Sequence, residues 1–323
     1  MSLVPADTAI RHIEDLAALN KAAGDSLRLQ ILQLLEQDSF GVLELADIFN
    51  VSQSRMSHHL KILANAQLVT TRREGNSIFY RRALINGASL DEVRSKIFAA
   101  IDAMPWHTEL ENGLANVYAE RGSQSQQFFE KHAGKFTEVT DLIAGYEHYA
   151  ESLEEILKAI ELPASAHAME VGPGKGGFLK PLGERFSKVY ALDNSPAMLE
   201  LAKQHCPMSN IEFVLGEPES AVQQDIKVDL LAFNMVLHHI PSPADVFKAC
   251  SELLNPGGAL LITELCPHEQ NWVKESCGDV WLGLDPDHIK QWAQAANLSA
   301  KHQVFVGLRN GFQIQIQQFV KQI

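Results

Sequence analysis

Glu170-Val171-Gly172-Pro173-Gly174-Lys175-Gly176-Gly177 follows an apolar run, and Asp193 closes a second strand-like run, Val189-Tyr190-Ala191-Leu192. Glycines at this spacing let the backbone turn tightly and lie against a ligand where a Cβ would collide. An acidic residue about twenty positions later can hydrogen-bond the two hydroxyls of a ribose. The stretch therefore predicts a strand, a glycine turn and a helix that together take a nucleoside-bearing cofactor. Around it, strand-like runs at 168–171, 189–192, 211–215, 228–234 and 259–264 alternate with helical spacing at 178–185, 196–206 and 244–254. Pro256-Gly257-Gly258 breaks the chain before the fifth run, 287–296 reads as a last helix, and 300–306 with 312–320 read as a closing antiparallel pair. The expected fold is α/β and Rossmann-like: seven strands, mostly parallel, covered on both sides by helices.

The first hundred residues read differently. Residues 7–21 have helical apolar spacing, and a second helix starts near Ser26 with Leu27, Ile31, Leu34 and Leu35 on one face. A short helix over 41–49 and a turn at Asn50-Val51 lead to Ser52, which caps a helix with Met56, Leu60 and Leu63 on its buried stripe. Ser54, Ser57, His58 and Lys61 then fall on the opposite face, flanked by Gln53 and Arg55. Residues 68–73 and 77–81 are two β-rich runs around Glu74-Gly75-Asn76, a hairpin with Arg72 and Arg73 on its flank. A short helix, a turn and a helix with a polar outer face, followed by such a hairpin, predict a winged helix-turn-helix whose second helix enters the major groove. His59 shares its spacing with Met56 and Leu63 and is expected in the core.

Composition bounds the rest. A chain of 323 residues predicts two domains, and a hydrophobic content of 46% supplies their cores. Net charge is −13, but residues 50–85 hold six basic residues against one acid, a net +5 that leaves −18 elsewhere. A basic island on an acidic body fits local docking on DNA. Residues 1–7 have neither a basic nor a long apolar stretch, and no apolar run nears the roughly 20 residues that span a bilayer. With four cysteines and no C-x-x-C pair, the expectation is a cytoplasmic protein with reduced thiols and no membrane partner. Cys266-Pro267-His268 with Cys277 offers soft-metal donors, but nothing fixes three of them on one face, and no metal site is expected.

Two resemblances follow. Ser52-Gln53-Ser54-Arg55-Met56-Ser57-His58-His59-Leu60-Lys61-Ile62-Leu63, with Arg73-Glu74-Gly75 and Tyr80, resembles the ArsR/SmtB family of winged-helix repressors over residues 15–100. That resemblance implies a homodimer built from the first and last helices of the domain, facing a palindromic operator in double-stranded DNA. The helix that carries cysteines in metalloid-sensing relatives reads Val42-Leu43-Glu44-Leu45-Ala46-Asp47 here. The second resemblance, over 125–323, is to class I S-adenosylmethionine-dependent methyltransferases. It rests on the glycine stretch, Leu192-Asp193-Asn194-Ser195-Pro196-Ala197-Met198, Val228-Asp229-Leu230-Leu231, Asn234-Met235-Val236-Leu237-His238-His239-Ile240 and Leu254-Asn255-Pro256-Gly257-Gly258. It implies that Glu170, Gly172, Pro173 and Gly174 frame the amino-acid end of the cofactor and that Asp193 holds the ribose. Asn194 and Met198 flank the adenine, Gly216 and Glu217 meet its edge, and Asn234 borders the cleft. Phe128-Phe129-Glu130-Lys131-His132-Ala133-Gly134-Lys135-Phe136 is similar to the aromatic lead-in of small-molecule methyltransferases, which places Phe136 over the cofactor.

The expected domains are 1–105 for DNA binding and dimerisation, 106–150 as a helical linker or cap with a hinge at 122–126, and 151–323 for the cofactor. Fused in this way, the modules resemble S-adenosylhomocysteine-responsive repressors. The leading expectation is a transcriptional repressor whose methyltransferase-like domain binds S-adenosylmethionine or S-adenosylhomocysteine and modulates operator binding. The alternative is a working methyltransferase of a small-molecule methyl acceptor. His238, His239, Glu264, Cys266 and His268 are its candidate bases or nucleophiles, and none is assigned a catalytic role. Asn234 is followed by Met-Val-Leu rather than the Pro-Pro-Tyr of amine methylators, which weakens a DNA-methylating reading.

Overall fold

A computed structural model describes residues 13–36, 38–74, 77–85, 90–132 and 143–322. The chain divides into two compact units, Met1–Tyr118 and Ala119–Ile323.

In the first unit, α1 (Ile13–Ala23), α2 (Ser26–Leu34), α3 (Val42–Ile48), α4 (Gln53–Asn65) and α5 (Asp91–Asp102) enclose one core. A three-stranded sheet of order β1-β3-β2 completes it, from β1 (Phe40–Gly41), β2 (Val69–Glu74) and β3 (Ser77–Arg82). Asp25 caps α2 by accepting from the Arg28 N–H at 3.0 Å. Ser52 caps α4, its Oγ accepting from the Arg55 N–H at 3.4 Å. Between α3 and α4 the chain turns through Asn50, whose φ of 48° is a left-handed conformation that asparagine tolerates. The expected stripe of α4 is buried completely, since Met56, Leu60 and Leu63 are each 0% exposed. β2 and β3 pair antiparallel from Val69↔Arg82 to Glu74↔Ser77, which makes the wing hairpin.

In the second unit the strands are β4 (His167–Val171), β5 (Lys188–Asp193), β6 (Ile211–Leu215), β7 (Val228–Asn234), β8 (Leu254–Leu265), β9 (Leu298–Gly307) and β10 (Gln313–Lys321). Their order is β6-β5-β4-β7-β8-β10-β9, with β10 antiparallel to β8 and β9 and the first five parallel. The chain runs outward from β4 through β5 to β6, then returns to lay β7 on the other side of β4. Such a reversal opens a crevice at the carboxyl ends of the strands, where ligands bind in open α/β sheets. At the opposite end, Asp229 ties three strands: it accepts from the His167 N–H at 2.9 Å and from Asn255 Nδ2 at 2.8 Å. The acid of the Val228-Asp229 motif is thus a structural clamp.

Two sequence expectations differ from the structure. Residues 122–126 lie inside a single helix, α6 (Glu111–His132), rather than forming a hinge. Tertiary packing outweighs the glycine there: Arg121 Nη1 donates to the Pro241 carbonyl at 3.0 Å, and its guanidinium lies 4.6 Å over the Trp281 ring. β8 also begins at Leu254 and runs through Pro256-Gly257-Gly258, absorbing them with a register shift against β7 between Val228 and Leu230. No helix of the described residues is long and apolar enough to cross a membrane.

Candidate functional site

The crevice is built where β4, β5 and β7 end. After β4 the chain turns through Gly172 and Gly174, with φ of 66° and 55°. The Gly172 N–H donates to the Leu192 carbonyl at 2.8 Å, and the Gly176 N–H to the Pro173 carbonyl at 2.7 Å, which draws the loop against β5. Glu170, the residue before the turn, is 1% exposed, and its Oε2 has no hydrogen-bond partner. Burial raises its carboxyl well above the usual range, opposed by a hydrogen bond with Asn234. Asn234, at the end of β7, has a buried Oδ1 that also lacks a partner. Both atoms carry hydrogen-bonding capacity that a polar ligand in the crevice can satisfy.

Asp193 ends β5. One carboxylate oxygen accepts from the Ser195 N–H at 2.8 Å, while burial pushes the carboxyl up to about 6. Ser195 also caps α7 (Pro196–His205), and Met198 on that helix is buried. Asn194 is exposed, with Nδ2 donating to Glu217 Oε1 at 3.2 Å. The Gly216 N–H donates to the Asp193 carbonyl at 2.9 Å, and Glu217 starts α8 (Pro218–Gln223). The fold thus brings the expected residues on three strand ends to one edge of the sheet. Phe136 lies outside the described residues.

Sequence reasoning missed two aromatic side chains here. Tyr149 is buried and hydrogen-bonds Asn234, and burial raises its phenol above the ordinary range. Tyr146 lies against the glycine turn, where a Cβ on Gly177 would meet its Cγ at 3.2 Å, and its hydroxyl donates to Glu154 at 3.3 Å. Both stand in the 106–150 segment, which also holds Trp106, Tyr118, Phe128, Phe129 and Phe136, and that aromatic enrichment is the signal the sequence offers.

A second cluster lies where β7 and β8 end. His238 Nδ1 is 2.5 Å from Glu264 Oε1, and the His238 N–H donates to Glu264 Oε2 at 3.1 Å. Burial pulls the His238 imidazole down, but the Glu264 and Asp279 carboxylates outweigh it and hold its pKa up at about 9. Burial and the neighbouring His238 charge push His239 well below its usual value. Cys266 and Cys277 are buried, and burial raises their thiols to about 11 and about 12.

On the first unit, α4 presents Gln53, Ser54, Arg55, His58 and Lys61 exposed, with Ser57 half-buried. On the wing, Arg73 is exposed and Arg72 is half-buried and paired with Glu74. Arg81 and Arg82 are buried, so part of the basic island is structural. Arg82 makes two hydrogen bonds to Asp102, at 2.7 and 2.8 Å, and two to the Leu32 carbonyl. His59 is buried beside Arg28, 3.5 Å away, and Asp25, 3.7 Å away.

The family pattern described as "Bacterial regulatory protein, arsR family" matches residues 25–71. The arsenical resistance operon repressor of Staphylococcus aureus is 39% identical over 80 residues, 25% of this chain and 74% of that protein. The chain belongs to the arsR family of bacterial regulatory proteins. To its arsR-family domain is joined a methyltransferase domain, whose family pattern matches residues 169–262. The ubiquinone biosynthesis O-methyltransferase of Xanthomonas axonopodis pv. citri is 29% identical over 116 residues, 35% of this chain. The arsR-family chain spans 48% of that enzyme's length, about half. Among solved structures, a chain from the complex of the Haloferax volcanii Trm112 methyltransferase activator with a methyltransferase covers 61% of this chain and 97% of its own. Its TM-score is 0.50 at 14% identity, which shows the shared fold.

Proposed function

We propose that this arsR-family chain is a ligand-responsive DNA-binding regulator that acts in the cytoplasm as a repressor. In this reading, residues 1–105 dimerise and dock on a palindromic operator, 106–150 link and cap, and 151–323 bind S-adenosylmethionine or S-adenosylhomocysteine. Occupancy of that site changes operator affinity. Gln53, Ser54, Arg55, Ser57, His58 and Lys61 read or hold the duplex, and Arg72 and Arg73 hold its backbone.

The residues at the strand ends fit an adenosyl ligand. Asp193 has one oxygen committed to Ser195, which leaves the other for ribose hydroxyls. Glu170 and Asn234 offer buried acceptors to the amino-acid end. Met198 supplies an apolar wall to the base, and Glu217 an acceptor at its edge. The ligand itself supplies either an activated methyl group or its spent thioether.

The observation that carries the reading is the crevice itself: Glu170 Oε2 and Asn234 Oδ1 lie buried beside the glycine turn with no hydrogen-bond partner, a demand that a polar ligand meets. The turn is also tightly packed, since a Cβ on Gly172 would stand 2.4 Å from Val236 Cγ2, so a ligand seated there bears on the turn after β7. A coupling of about 1–3 kcal/mol between that site and duplex binding changes DNA affinity about 5–150-fold.

The test is anisotropy of a labelled palindromic duplex titrated with the dimer, with and without saturating S-adenosylhomocysteine or S-adenosylmethionine. A shifted binding curve is expected. Calorimetric binding of either ligand with an unmoved DNA curve would overturn the coupling.

The buried His238–Glu264 pair supports a second reading, a methyltransferase acting on a small molecule. Turnover of labelled methyl groups onto an acceptor, with DNA affinity unchanged by ligand, would favour it.

A further inference from the structure

Two histidines and an aspartate of the second unit converge on one point. His239 Nδ1 lies 3.9 Å and His238 Nε2 4.0 Å from Asp279 Oδ1, and the three ligand atoms lie within 4.8 Å of one another. We propose that His238, His239 and Asp279 form a binding site for a divalent transition-metal cation of the zinc class. The site is separate from the adenosyl and DNA contacts proposed above and stands without them.

The donor set comes first. Two imidazoles and one carboxylate suit zinc and its first-row neighbours, whereas magnesium and calcium take oxygen ligands and keep more water. Three protein ligands also leave a fourth position open. His239 is the least enclosed of the three, its side chain 13% exposed against 3% for His238 and 0% for Asp279. The open position therefore lies on the His239 side.

Support around the ligands comes second. A metal-ligating histidine usually gives its other ring nitrogen to a carboxylate, which fixes the ring. Glu264 does this for His238: it holds Nδ1 through Oε1 at 2.5 Å and the backbone N–H through Oε2 at 3.1 Å, which turns Nε2 toward Asp279. Asp279 is held opposite by its own loop. Gly278 adopts φ 77°, and a Cβ there would meet Phe128 at 2.5 Å. The Val280 and Trp281 N–H groups both donate to the His238 carbonyl at 3.0 Å, which fastens the 278–281 turn to the histidine backbone.

The separations are close to those a cation needs. Ligand atoms bonded at about 2.0–2.2 Å stand about 3–3.5 Å apart, so the two pairs with Asp279 must close by about 0.5–1 Å and the histidine pair, within 4.8 Å, by up to about 1.5 Å. Side-chain torsions supply that without moving the turn. On ligation His238 gives up any Nε2 proton, and His239 carries its ring proton on Nε2 rather than donating from Nδ1 to the Gly278 carbonyl, now 3.2 Å away.

The full-length chain, stripped with chelator and dialysed, is titrated with Co²⁺ and then Zn²⁺. The expected result is saturation at one ion per chain with d–d absorption of a low-coordinate nitrogen and oxygen site, bleached by Zn²⁺. Asp279→Asn, His239→Gln and Glu264→Gln each weaken Co²⁺ binding by about 10–100-fold, and Cys277→Ser leaves it unchanged. The absence of saturable Co²⁺ uptake by the unaltered chain would overturn the proposal. So would a thiolate-to-cobalt charge-transfer band that disappears in Cys277→Ser, or full affinity in His239→Gln. Should Asp279→Asn not fold, the spectrum of the unaltered chain and the His239→Gln titration still decide.

Discussion

Gly172 and Val236 leave no space between the turns that follow β4 and β7. A Cβ built on Gly172 would stand 2.4 Å from Val236 Cγ2, at a backbone φ of 66° that side-chain-bearing residues rarely adopt. Gly172→Ala is expected to destabilise the methyltransferase domain by about 1–3 kcal/mol through strain and overpacking. It should also abolish adenosyl-ligand binding while duplex affinity without ligand holds. Thermal melting, calorimetry and anisotropy on one preparation check all three.

Asp193 makes ligand affinity depend on pH. Burial holds its carboxyl up at about 6. A carboxyl raised on folding contributes stability that is complete below its unfolded value near ~4 and is lost as pH rises through the folded value. Hydroxyls of a bound ribose favour the charged form, so affinity is expected to rise between about pH 5 and 7 and then level off. Calorimetry across that range should show a flat, weak profile for Asp193→Asn. Asp193→Ala should lose the ligand response and keep ligand-free DNA affinity.

Phosphate contacts from α4 and the wing predict a steep salt dependence of duplex binding. Lys61→Ala and Arg73→Ala are each expected to weaken binding uniformly across sequences and to lower the salt slope by about 1. Arg55→Ala is expected to relax sequence preference as well. An unchanged slope in Lys61→Ala would place the duplex elsewhere.

Arg82 belongs to the core of the arsR-family domain. Its guanidinium spans Asp102 and the Leu32 carbonyl and lies 4.6 Å over the Phe98 ring. Arg82→Ala removes a buried guanidinium and its two bonds to the Leu32 carbonyl and is expected to cost about 1–3 kcal/mol, since the Asp102 side chain, 30% exposed, stays solvated. Exposed Arg73→Ala should stay within about 0.5 kcal/mol. Urea unfolding followed by circular dichroism separates the two.

Much of this architecture is legible in the chain because its periodicities are local. The strands at Ile211–Leu215 and Val228–Asn234 fall where alternation and flanking breakers place them, and Ser52 caps α4 as its hydroxyl requires. The glycine turn and Asp193 were also legible, since motif spacing translates directly into strand ends. Features that depend on distant partners were not. Glu264 meets His238 from 26 residues away, and Asp279 approaches from a loop with no periodicity of its own. Arg81 and Arg82 count as basic residues in the sequence yet lie buried, and nothing local reveals that Arg82 reaches Asp102 and the Leu32 carbonyl, 20 and 50 residues away. α6 continues through Gly122 because Arg121 packs on Trp281, a contact that spacing within the segment does not encode.

All four cysteines, Cys206, Cys250, Cys266 and Cys277, lie buried in the second unit, and burial raises each above its ordinary pKa. The arsR-family domain has none. A thiol in that condition reacts with an alkylating reagent only when the surrounding backbone opens. Iodoacetamide labelling of the intact chain therefore times the breathing of the Rossmann-like half alone, with no engineered probe. Because a bound molecule slows such opening in proportion to its grip, the four sulfurs act as a native gauge of cleft occupancy that leaves the DNA-reading half unmarked.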